Sequence, residues 1–269
     1  VDRAALNFAF SSCPNDTFAF HALVHGLVPG PHVIPHLDDV EALNARAERG
    51  EAEVTKISIA AYRRIRDRYA LLRAGGAAGF GVGPIVVAGN AREVGGRVAI
   101  PGERTTAALL LTLLGRFETV PMRFDQIETA VLRGDVDCGV LIHEGRFTYQ
   151  AKRLTLLEDL GAVWEARMKC PLPLAAIAIR RDLVPAHGSE IDRAIRASVE
   201  YAFAHPDASR EYVAEYAQEM DPTVVAKHIE LYVNDYTLTL DERAVHALIE
   251  WQKQQGPDVN GRPPPPVFI

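Results

Sequence analysis

The sequence predicts an α/β protein in which two lobes, each built on a largely parallel sheet, flank a ligand cleft. Three observations carry this. Short apolar runs alternate with helical stretches along the first 180 residues, as parallel βαβ units do. The pattern breaks at 90–96 and starts afresh at Arg97, and an apolar run at 172–179 then returns the chain to the first unit. Polar residues collect where the strands end, which is where open α/β sheets bind ligands. The expected lobes are 1–90 with 175–269, and 91–174.

The elements follow in order. Leu6-Asn7-Phe8-Ala9-Phe10 alternates as a strand, and Ser11 to Asp16 forms a polar turn. Asn15 or Asp16 is placed to cap a helix from about Thr17 to His25, closed by Gly26. Cys13 in that turn is expected to be a packed residue beside a pocket rather than a nucleophile, because no partner base is visible in the sequence. His21 and His25 lie four apart, but with no acid or thiol nearby they read as solvated or core-edge histidines.

His32–Leu37 is a second strand, and Asp38 opens a helix to about Arg49 with acids first and Arg46 and Arg49 last, as the helix dipole favours. Ala52–Ser58 is a third strand that runs into a helix at Ile59. Lys56, Ile57 and Ser58 at that junction make either an anion site or an ordinary capped helix with an exposed lysine. Five glycines lie between Gly75 and Gly83, ahead of a strand rather than a helix, so neither a dinucleotide fingerprint nor a P-loop fits. A close-approach loop beside a cleft fits better.

In the second unit a strand ends at Pro101, and the helix 107–114, apolar all round, is expected to be buried. Thr105 and Thr106 at its start, beside Arg104 and ahead of Ala107, either hold a carboxylate or phosphate through hydroxyls and backbone N–H groups or are an ordinary structural cap. Residues 121–124 read as a strand, 127–133 as a helix and 154–160 as a further strand. The run from Val136 to Ile142 is a buried strand that stops at His143, with Glu144, Gly145 and Arg146 behind it. Histidine titrates closest to neutral, so His143 is either a proton-transfer group or a strand cap. Helices dominate afterwards, at 189–204, 208–218, 222–232 and 241–255, and the prolines from Pro263 to Pro266 make the tail extended.

Composition narrows the function. The 269 residues carry a net charge of -6 and no basic run, so nucleic acid is an unexpected partner. The longest apolar run, 107–114, is too short to span a membrane. Val1-Asp2-Arg3 does not open a secretion signal, so a cytoplasmic location is expected. Three cysteines without CxxC spacing and nine scattered histidines predict neither disulfides nor a metal site.

Four segments then carry a family resemblance: Ser12 to Phe18 with 22–26; Thr55 to Ser58 with 60–62; Gly81 to Pro84 with Pro101-Gly102 and Thr105 to Ala107; and Ile142-His143-Glu144 with Arg146 to Tyr149. They resemble the 1,4-dihydroxy-6-naphthoate synthases of the futalosine route to menaquinone, over nearly the full length. Ser12 stands where some members carry proline. The resemblance implies a type II periplasmic-binding-protein-like fold and a cofactor-independent carbon–carbon lyase that converts cyclic dehypoxanthinylfutalosine to 1,4-dihydroxy-6-naphthoate. It implies His143 as general base, and Lys56 through Ser58, Thr105 through Ala107, Asn15 and Arg146 about the substrate. Chorismate dehydratase of the same pathway and a non-catalytic solute-binding protein are the alternatives. Neither a metal nor an organic cofactor is implied, and the oligomeric state is left open.

Overall fold

The computed structural model describes residues 5–218, 221–255 and 265–269. In chain order the elements are β1 (Leu6–Ser11), α1 (Pro14–Val24), β2 (Val33–Asp38), α2 (Val40–Arg49), β3 (Val54–Ser58), α3 (Ile59–Ile65), β4 (Tyr69–Leu71), β5 (Ala77–Gly79), β6 (Ile85–Ala88), β7 (Arg97–Ile100), α4 (Thr106–Leu111), β8 (Glu118–Pro121) and α5 (Phe124–Arg133). There follow β9 (Cys138–Leu141), α6 (Gly145–Thr148), β10 (Thr155–Asp159), α7 (Leu160–Met168), β11 (Leu172–Arg180), α8 (Ser189–Ala204), α9 (Arg210–Tyr216), α10 (Pro222–Tyr232), α11 (Asp235–Leu238) and α12 (Glu242–Gln254).

These form two mixed sheets. The first runs β2-β1-β3-β11-β4, with β5 also paired to β11, and the second runs β10-β6-β9-β7-β8. The expected largely parallel sheets are corrected here: β11 is antiparallel to β3, β4 and β5, and β6 is antiparallel to β9 and β10. Both reversed strands are crossing strands. A segment that leaves one sheet and enters the other arrives at the cleft edge, so it runs against strands that end there. Sheet membership also changes before β6, whereas the expected boundary near residue 90 would leave Ile85–Ala88 with the first sheet. An apolar strand buried on both faces gives no signal of which sheet it joins.

Strand alternation builds the core on both faces of β6. Val86 and Ala88 join a cluster with Ile57, Val98, Leu110, Val140 and Trp164, while Ile85 and Val87 pack with Ala99, Ile127 and Val131. In the first sheet Phe8 and Phe10 meet Phe20 of α1 at centroid separations of 5.1 and 5.3 Å, both edge-on, beneath Ile191 and Ile195 of α8. Trp164 of α7 packs edge-on against Trp251 of α12 at 5.9 Å, joining helices of the two units.

Local chemistry explains several element ends. Asp39 caps α2 by accepting from the Glu41 and Ala42 amides, and Gly50 closes it in the left-handed region. Asp159 caps α7 through Gly161 and Ala162, a helix the sequence reading passed over because its start lies inside an apolar run. Helix α5 begins at Phe124, which alternation alone had placed in a strand; Arg123 and Asp125 pair across its first turn. Helix α4 covers only Thr106–Leu111 and is not buried all round, since Ala108 and Leu109 are half-buried. Pro263 and Pro264 lie outside the described residues, but Phe268 bridges to Leu71 in extended conformation as the tail reading expects.

Candidate active site

The strands direct their carboxyl ends to one cleft, of roughly 660 Å³ counting its mouth, a size that suits a small organic ligand. Ser11 ends β1, Ser58 ends β3, Thr105 to Ala107 follow β7, and Ile142 and His143 follow β9; all line the cleft. The reversed strands enter it by their other ends, through Pro84 before β6 and Leu174 and Ala175 of β11. Val40, Val82 and Tyr232 complete a mainly apolar wall.

Seven of the nine residues expected at the site meet here: Asn15, Lys56, Ser58, Thr105, Thr106, Ala107 and His143. Ile57 does not, because alternation along β3 turns it into the core, where it is fully buried. Arg146 does not either. Its guanidinium donates to the Gly83 carbonyl at 2.7 Å and to Asp159 at 2.6 Å, tying the turn after β9 to the glycine loop. That loop makes the expected close approach: a Cβ on Gly83 would lie 2.2 Å from the Gly161 Cα.

Most polar groups of the wall are already committed. Lys56 is 3 % exposed, so the exposed-lysine alternative is excluded; its Nζ donates to Asp16 Oδ1 at 2.7 Å and to the Gly75 carbonyl at 2.9 Å. Asp16 also accepts from the Ser11 hydroxyl at 2.7 Å and from Asn15 Nδ2 at 3.0 Å. The expected cap at Asn15 or Asp16 is therefore corrected: α1 begins at Pro14, and the Asp16 carboxylate turns inward to the lysine. Ser58 occupies the N-cap position of α3, but its hydroxyl accepts from Asn44 Nδ2 at 3.0 Å. Thr106 donates to the Leu174 carbonyl at 2.7 Å, which ties α4 to β11. Thr105 caps α4 through the Ala108 amide at 3.1 Å.

His143 differs from its neighbours. Its backbone lies at φ 53, the left-handed region, which costs a non-glycine residue about 1–2 kcal/mol. That conformation ends the strand and sets the imidazole against the cleft, with Phe124 edge-on at 5.0 Å. Burial pushes its pKa down from 6.5 to about 4; Asp16 opposes the shift and Lys56 adds to it. The ring is neutral at pH 7, with one nitrogen protonated and the other bearing a lone pair.

The sequence showed no base beside Cys13, yet the fold brings its Sγ to 3.4 Å from His143 Nδ1. Burial, with the Glu144 charge, pushes the thiol well above its usual range. A thiol that stays protonated is a poor nucleophile, so the contact orients the imidazole. His21 and His25 stack on each other at 4.4 Å, away from the cleft. Among the described residues no group of three or more His, Cys, Asp or Glu is placed to hold a metal ion, and no helix is long and apolar enough to cross a membrane. Tyr232 and the buried His228 behind Asn15 escaped the sequence reading, because only long-range packing brings α10 to α1, and Asp16 reads there only as a cap.

Residues 6–254 match the family described as menaquinone biosynthesis. The chain belongs to that family. Among curated relatives, a 1,4-dihydroxy-6-naphthoate synthase of Thermus thermophilus is 46% identical over 98% of this chain and 99% of its own. A protein of the same name from Streptomyces coelicolor is 46% identical over 90% of each chain. A crystal structure of an Archaeoglobus fulgidus protein superposes with a TM-score of 0.88 at 40% identity, covering 93% of this chain and 97% of that one. The alkanesulfonate-binding protein of Xanthomonas axonopodis superposes at 0.70 with 12% identity, covering 95% of this chain and 92% of that one, and shares the fold alone. The menaquinone-biosynthesis chain thus has the two-lobed, type II periplasmic-binding-protein-like fold, and its relatives' names make it an enzyme of that pathway rather than a transport protein.

Proposed function

We propose that this protein is a 1,4-dihydroxy-6-naphthoate synthase, a carbon–carbon lyase that takes cyclic dehypoxanthinylfutalosine as substrate. The observation that carries the reading is full-length identity of 46% to a synthase of that name. The site is compatible with it. The apolar wall suits a fused aromatic ring, and the start of α4 at Thr105–Ala107 offers backbone donors to a carboxylate or hydroxyl.

His143 acts as the general base. It removes a proton so that the spiro-linked sugar ring opens by retro-aldol-type cleavage, and aromatisation then draws the reaction forward. With a pKa of about 4 it is unprotonated throughout the neutral range, at the expense of basicity once the proton is taken. Closure of the two lobes, each carried by one sheet, excludes water and supplies orientation. No organic cofactor is required for this chemistry, and the chain works in the cytoplasm on a small-molecule substrate.

The test is chromatographic, with purified protein and cyclic dehypoxanthinylfutalosine beside His143→Ala. The parent should form dihydroxynaphthoate and the variant about 10²–10⁴-fold less, with KM little changed. Equal turnover by the variant refutes the base. Turnover of chorismate, with none of the futalosine derivative, would reassign the enzyme to the neighbouring dehydratase.

A further inference from the structure

Tyr232, the last residue of α10, is 7 % exposed and lines the cleft. Elsewhere on the wall hydroxyl hydrogens are spent within the protein: Ser11 gives its own to Asp16, Thr105 to the Gly102 carbonyl and Thr106 to the Leu174 carbonyl. The Tyr232 hydroxyl is not spent. Among the described residues it meets no hydrogen-bond partner, and it is not sealed in the interior as the unpartnered Tyr212 hydroxyl is. A buried tyrosine ordinarily finds a partner for its O–H, so one left open on a cleft is a donor for a ligand oxygen.

The hydroxyl keeps its proton and is held in place. Burial pushes the phenol up by more than the Arg146 charge pulls it down, so it stays neutral well past pH 7. The turn that carries it is pinned to β5. Thr237 Oγ1 donates to the Tyr232 carbonyl at 3.3 Å, and Asn234 Nδ2 donates to the Ala78 carbonyl at 3.0 Å. The buried ring of His228 has its centroid 4.7 Å from that of Tyr232 and 6.0 Å from that of His143. One imidazole therefore backs both rings, which sets the base and the phenol at the same end of the cleft.

We infer that Tyr232 is a second catalytic residue, whose hydroxyl donates to the substrate carbonyl oxygen that turns negative as the carbon–carbon bond breaks. This rests on the lyase reaction proposed above. In that step a substrate hydroxyl gives its proton to the lone pair of His143. The electron pair of that O–H bond forms the carbonyl of the departing fragment, and the pair of the broken carbon–carbon bond moves onto the ring carbonyl as an enolate. The cleft then holds one imidazolium and one enolate, with net charge unchanged. A donor already in place at that oxygen binds the enolate more tightly than the ketone and needs no reorganisation, which lowers the barrier. Tyr232 keeps its own proton throughout.

Two measurements test this. Tyr232→Phe keeps the ring against His228 and removes only the oxygen. Its kcat on cyclic dehypoxanthinylfutalosine should fall about 10²–10³-fold, with KM little changed. The second measurement needs no turnover. It is a calorimetric titration of the full chain with the two tetralone carboxylates whose ketone stands meta or para to the carboxylate, beside the tetralin carboxylate that lacks the ketone. The parent should bind the better tetralone about five- to tenfold more tightly than the tetralin, and Tyr232→Phe should bind the two alike. Parental kcat in Tyr232→Phe overturns the assignment, as does a ketone preference that survives in the variant or is missing from the parent. A parent inactive on the substrate overturns the proposed lyase instead, and the ketone preference then decides whether Tyr232 is the donor.

Discussion

Separating Lys56 from Asp16 should be more damaging than removing both. The two residues are 3 % and 1 % exposed, and Nζ lies 2.7 Å from Oδ1. At an effective dielectric constant of about 20, unit charges at that separation attract by about 6 kcal/mol. Desolvation costs of several kcal/mol per ion offset most of this, so the intact pair contributes little net stability. Breaking it is another matter. In Asp16→Asn the ammonium keeps the Gly75 carbonyl and the face of Phe20 at 5.4 Å, but no counter-charge. In Lys56→Met the carboxylate keeps the Ser11 hydroxyl and the Asn15 amide, again without a counter-charge. Each single change should cost about 3–5 kcal/mol. The double variant removes both charges and should cost less than either single change, with a coupling energy of about 3 kcal/mol or more. Urea denaturation of the four proteins at pH 7, followed by circular dichroism, measures the cycle. Additive losses would refute the reasoning, since they would mean that neither charge senses the other's absence.

Two further outcomes follow from the site. His143 has a folded pKa of about 4 against 6.5, so the unfolded chain binds the proton first; stability is complete above about pH 6.5, falls as pH drops toward 4, and loses about 3 kcal/mol in all. His143→Asn, which tolerates the left-handed backbone, should show a shallower fall in urea midpoint between pH 7 and 4.5; an identical fall would show that other groups carry it. Gly83→Ala forces a Cβ to within 2.2 Å of the Gly161 backbone and should cost about 3 kcal/mol or more, while Gly95→Ala, with open space around it, should be nearly neutral. Equal urea midpoints for the two would refute the close approach.

The chain by itself determined most of the strands and helices, though not α7 or the first turn of α5, together with the strand-end positions of the polar residues and the family. Those are properties of local periodicity and short motifs: Val136 to Ile142 reads as a buried strand, and His143 as its polar stop, without knowledge of any neighbour. It did not show that β6 and β11 run against their sheets, because an apolar run carries no direction. It placed Lys56, Ile57 and Ser58 at one junction, but pairing turned Ile57 inward and partners 19 and 40 residues away consumed the lysine. The tertiary structure alone decided which side chains are spent and which are free. Cys13 reaches His143 across 130 residues, and His228 reaches Asn15 across 213. Contacts at such separations leave no mark in local pattern. They arise because the sheets bring their strand ends to one cleft, and burial there drives the imidazole of His143 to its neutral form.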